Sequence, residues 1–90
     1  MKMFTFLRSN EPFSQNDLIL AGQRTGSPSF LWDKDPKVLL IFGEFTQEQI
    51  KEIFPDRDFE HQIYEGYDRL PIPFTEKIFQ GHLAQLQHHP

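Results

Sequence analysis

The sequence predicts a single small α+β domain, and three observations carry that reading. Strand-like and helix-like apolar patterns alternate along the chain, 90 residues leave room for only one domain, and the apolar content is rich in phenylalanine. Phenylalanine fills ten positions, at 4, 6, 13, 30, 42, 45, 54, 59, 74 and 79, whereas valine occurs once and cysteine never. With 38% hydrophobic and 24% charged residues the chain has ordinary globular composition, which excludes a disordered or fibrous polymer. Its core has to be built from aromatic rings without disulfide staples.

The elements follow in order. Residues 2–8 are apolar or β-branched with few interruptions and end at Ser9-Asn10-Glu11-Pro12, the pattern of a strand and a turn. Ser14, with Asp17 three residues on, approximates a capping box for a short helix carrying Leu18, Ile19 and Ala21 and ending at Gly22. After a loop over residues 22–28, Phe30-Leu31-Trp32 reads as a short strand. Asp33 to Lys37 turns the chain into Val38-Leu39-Leu40-Ile41-Phe42, the clearest strand, and the two form a hairpin. Thr46-Gln47-Glu48-Gln49 is a capping box by type and spacing. It opens a helix with Ile50, Ile53 and Phe54 on one face, stopped by Pro55. Phe59, His61 and Ile63 alternate with Glu60, Gln62 and Tyr64 as a half-buried strand does. Leu70-Pro71-Ile72-Pro73 is extended, because each proline disfavours helix at the residue before it. Thr75 caps a last helix with Ile78, Phe79, Leu83 and Leu86 on one face.

The resulting order is the ferredoxin-like β-α-β-β-α-β with an added C-terminal helix, all within one domain over residues 1–90. In that arrangement the first and third strands are central. Those are the two continuous apolar runs, while the short and the alternating strand suit the edges. The central strands are apolar on both faces, and two helices cover only one. Either the helix over 75–87 folds back on the other face, or two copies pair there as a homodimer, or the face is a binding platform with Phe4, Phe6 and Phe42 on it.

Charge adds a second candidate surface. Residues 1–43 carry five basic and four acidic groups, while residues 44–90 carry four basic and nine acidic ones, within a net charge of −4. Glu44, Glu48, Glu52, Asp56, Asp58 and Glu60 follow one another with only Lys51 and Arg57 among them. Such a segment repels phosphate and anionic lipid, which argues against nucleic-acid and membrane-surface binding. The stretch 37–45 also lacks the early glycine and spaced aromatics of an RNA-recognition strand. Carboxylates near a helix start are commonly a solvated face, yet the run continues beyond the helix. It is the kind of surface that orients encounter with a basic partner.

Chemistry-bearing motifs are sparse. Without cysteine there is no thiolate nucleophile, Cys-ligated zinc or iron–sulfur centre. No GxxxxGK[ST], G-x-S-x-G or H-E-x-x-H is present, and the loop from Gly22 to Ser27 follows a helix instead of opening one, which removes the dipole contribution to anion binding. His82 and His89 share a helix face without a third ligand at metal-site spacing. His61 is the strongest candidate for a proton-transfer group, although a core histidine with a backbone partner has the same sequence appearance. The opening apolar run is too short for a signal peptide or a membrane span. The expectation is a soluble cytoplasmic, non-enzymatic interaction module without cofactor or metal. It binds another protein through Phe4, Phe6 and Phe42, through Glu48, Glu52, Asp56 and Asp58, or through both. The alternative is a dimeric enzyme or ligand-binding domain around an aromatic pocket.

Overall fold

The computed structural model of the chain describes residues 2–32 and 34–71. The expected last helix, the extended stretch beyond Pro71, and His82 and His89 lie outside them. Along the described residues run β1 (Met3–Ser9), α1 (Gln15–Thr25), β2 (Ser29–Trp32), β3 (Asp35–Phe42), α2 (Gln47–Ile53), β4 (Phe59–Glu65) and a 3-10 turn at Tyr67–Arg69. The four strands make one antiparallel sheet in the order β2-β3-β1-β4, which together with the two helices forms a small α+β domain.

The inner places fall to the strands with continuous apolar runs. β1 is paired along its whole length with β4, from Met3 opposite Glu65 to Ser9 opposite Phe59, and on its other edge with β3, from Phe4 opposite Phe42 to Arg8 opposite Val38. Because side chains alternate across a strand, β1 and β3 feed two cores. On the helix side Leu7, Leu39 and Ile41 pack with Phe13, Ala21, Ile50 and Phe54. On the opposite side Phe4, Phe6, Phe30, Val38 and Leu40 pack with Leu70, flanked by Trp32, Phe42, Tyr64 and Tyr67. Rings meet there edge-on or tilted, as in Phe4–Phe42 with centroids 5.0 Å apart and Phe6–Tyr64 at 5.9 Å, geometries that bring ring edges onto π faces.

Both capping boxes form. Ser14 accepts from the Asp17 amide while the Asp17 carboxylate accepts from the Ser14 amide, and Thr46 and Gln49 do the same at α2. Two boundaries differ from the sequence reading. α1 does not end at Gly22 but continues to Thr25, whose hydroxyl donates to the Ala21 carbonyl, and Gly26 supplies the left-handed cap at φ 68°. β3 begins at Asp35 instead of Val38, and an irregularity between Leu31 and Trp32 absorbs the altered register with β2.

One polar fastening sits inside the sheet. Thr5 is fully buried, and its hydroxyl donates to the Gly43 carbonyl at 2.8 Å and accepts from the Phe45 amide at 3.0 Å. Gly43 itself has φ 115°, and a Cβ there would lie 2.9 Å from the Phe45 ring. Two substitutions test this joint by urea unfolding. Thr5→Val leaves the carbonyl and amide without their partner and lowers stability by about 1–3 kcal/mol. Gly43→Ala adds backbone strain and a ring clash, with an expected loss of similar size, about 1–3 kcal/mol.

Candidate functional site

A depression of about 480 Å3 lies where the β1–α1 loop, α1 and the α2–β4 loop converge. Its lining includes Glu11, Asp17, Asp56 and Asp58 around Arg57, with Leu20 and Phe54 supplying apolar wall. Four carboxylates against one guanidinium make it a negative cleft.

Arg57 is already committed within the chain. Its Nη1 reaches the Glu11 carbonyl at 2.8 Å, the Ser9 hydroxyl at 3.1 Å and the Pro12 carbonyl at 3.2 Å, and its Nη2 donates to Asp17 Oδ2 at 2.9 Å. The guanidinium lies 4.4 Å from the centre of the Phe13 ring and 5.8 Å from that of Phe54, so its plane is used as well as its fork. Asp17 Oδ2 thus serves twice, as half of the α1 capping box and as the partner of Arg57. The side chains of the pair are 18% and 23% exposed. This cation organises the cleft and is not free to receive an anion.

The sequence-selected residues fall into separate places. Phe4 and Phe6 are 0% and 4% exposed within the single chain and Phe42 is half-buried, so a platform role requires that face to be uncovered. Glu48 and Glu52 are exposed on α2, and Asp56 and Asp58 are exposed in the loop that follows. Asp56 and Asp58 enter the Arg57 cleft, whereas Glu52 borders a different depression that contains Arg24. The acidic segment is therefore brought together in part. His61 is half-buried on β4 with Nε2 2.6 Å from the Phe45 carbonyl oxygen. A carbonyl can only accept, so Nε2 carries the proton there, and the ring is tied to the chain end of the Thr5 joint.

Sequence reasoning missed Arg57, Glu11 and Asp17 as parts of one cleft. The available signal was Arg57 itself, a cation inside a run of carboxylates. Among the described residues, no group of three or more histidine and carboxylate side chains is arranged to hold a metal ion, and no helix is long and apolar enough to cross a membrane. No family model, no curated protein and no solved structure matches the chain.

The clamp predicts a distinctive mutational pattern. Arg57→Ala is expected to cost about 2–3 kcal/mol, since charged hydrogen bonds and ring contact are lost together. Arg57→Lys recovers less than half of this, because an ammonium cannot reproduce the planar fork. Unfolding curves for both variants check the order. Equal stability of the lysine variant and wild type would contradict the clamp geometry.

Proposed function

We propose that the protein is a non-enzymatic interaction module that binds a basic protein partner through its acidic surface, made of Glu48 and Glu52 on α2 and of Asp56 and Asp58 beside the cleft. The observation that carries the reading is exposure. These carboxylates all face solvent, and of the two cations among them Arg57 is held by Asp17, Ser9 and backbone carbonyls while Lys51 donates to the Arg57 carbonyl. A negative surface whose own arginine is internally occupied attracts cations and steers their approach. The aromatic route through Phe4, Phe6 and Phe42 has less support, because the first two rings are buried within the chain.

The fold belongs to the same proposal. A strand order of β2-β3-β1-β4 with antiparallel neighbours is compatible with the ferredoxin-like arrangement, a scaffold on which unrelated functions are grafted, so function has to be argued from the surface.

The test is capture of partners from lysate by wild type and by a variant with Glu48, Glu52, Asp56 and Asp58 all changed to lysine. The reading expects partners that leave the wild type as salt is raised, since the screening length shrinks to about 3 Å at 1 M, and that the variant does not retain. The same partners retained by both proteins would remove the acidic surface from the function.

A further inference from the structure

We propose that the outer edge of β4 is a strand-addition site for an extended, lysine-rich segment of the basic partner. This rests on the acidic-surface reading and adds to it the backbone chemistry that holds the partner. The edge can be read from the ladder. The Gly66 amide donates to the Lys2 carbonyl and the Asn10 amide to the Asp58 carbonyl, so even-numbered residues of β4 turn their backbone groups toward β1. By the alternation of an antiparallel pair, Phe59, His61, Ile63 and Glu65 turn their N–H and C=O groups outward, where among the described residues no neighbouring strand lies.

The opposite edge is different. β2 has four residues, follows directly on Pro28, and by the same parity turns outward only Ser29 and Leu31. Short, proline-flanked edges are the protected kind. β4 has seven residues and no proline. A depression of about 310 Å3 between Arg8, Asp58, Phe59 and Glu60 lies at its start, and another of about 410 Å3 between Ile63, Tyr64, Glu65 and Arg69 lies toward its end. Flanking recesses of this kind receive alternate side chains of an added strand.

Charge chooses the occupant. Asp58, Glu60 and Glu65 are exposed along the edge. Of the nearby cations, Arg8 is drawn toward Asp35 at 3.9 Å, Lys51 donates to the Arg57 carbonyl at 3.0 Å and Lys2 to the Tyr67 hydroxyl at 3.2 Å, leaving Arg69 at the far end. A second copy would bring the same carboxylates against each other, whereas a lysine-bearing strand neutralises them. Asp58 and Glu60 share parity with Gln62 and Tyr64, and Phe59, His61 and Ile63 share the other face, which ends at Glu65. The fitting strand therefore alternates, with cations on the first face and apolar residues on the second.

The probe is an end-capped peptide of alternating lysine and valine, titrated by fluorescence anisotropy against the whole chain. Antiparallel addition makes the valines the residues whose amides meet β4. N-methylating the valines is therefore expected to weaken binding at least about tenfold, the cost of two or three backbone hydrogen bonds. N-methylating the lysines is expected to leave binding within about twofold. Amide exchange at His61 and Ile63 slows on peptide addition in the same experiment. If both methylated peptides bind alike, the peptide sits by charge alone; the edge proposal is then overturned while the acidic reading stands. Absence of binding by the parent peptide also overturns it, and capture by the four-lysine variant judges the wider reading separately. Protection of His61 and Ile63 without peptide, in a sample that sediments as a dimer, would give the edge to a second copy and likewise overturn the proposal.

Discussion

β1 is hydrogen-bonded on both edges and covered on both faces, so its side chains from Phe4 to Leu7 have to be placed in a core. β3, beside it, is under the same demand over Val38 to Ile41. A domain of this size has too few residues to fill two cores with small side chains, and large rings supply the most area per position. The aromatic composition is thus a consequence of having a sheet buried on both sides. Phe4, Phe6 and Phe30 serve the side away from α1 and α2, while Phe13 and Phe54 serve the helix side.

A sheet so closed leaves its polar joints at the ends of the inner strands. Thr5 holds the β3–α2 connection, and Ser9, with Arg57, holds the β1–α1 loop to the loop before β4. The Phe13 amide also donates to the Pro36 carbonyl, fastening the same loop to β3. The Thr5 contacts are doubly satisfied and the Ser9–Arg57 contact is charged, and leaving any member alone in its partly buried place costs more than the bond itself contributes. Loops fixed in this way keep Asp56 and Asp58 at the rim of one cleft instead of letting a flexible segment carry them.

What was legible in the sequence was local. Ser14–Asp17 and Thr46–Gln49 are three residues apart and close their boxes without help from elsewhere, and the runs 2–8 and 38–42 announce inner strands by their continuity. Gly22 reads as a stop because a glycine inside a helix looks the same in sequence as one that ends it; the deciding contact, Thr25 to Ala21, and the φ of Gly26 belong to the next turn. Pro36 hid the start of β3, since proline ordinarily signals a turn. The Arg57 clamp was beyond reach for a different reason. Its partners Asp17, Glu11 and Ser9 are 40, 46 and 48 residues away, and no local pattern encodes such a meeting. The covered state of Phe4 and Phe6 was also unreadable, because alternation tells which face a side chain takes and not what lies upon it.

The edges of the sheet connect this architecture to the acidic charge. Any open sheet ends in two rows of unpaired backbone groups, and natural proteins protect them from unwanted pairing by shortness, proline or charge. β2 uses the first two. β4 is too long for that protection and has carboxylates at Asp58, Glu60 and Glu65 instead. The same charges act with opposite sign toward different strands: they repel another copy of this acidic chain and most acidic segments, and they attract a cationic one. Specificity is a difference between affinities, so a guard that excludes one class of strand is at the same time a selector for the other. Part of the chain's charge asymmetry is then no separate feature from its fold, since Asp58, Glu60 and Glu65 lie along an edge strand of the described sheet.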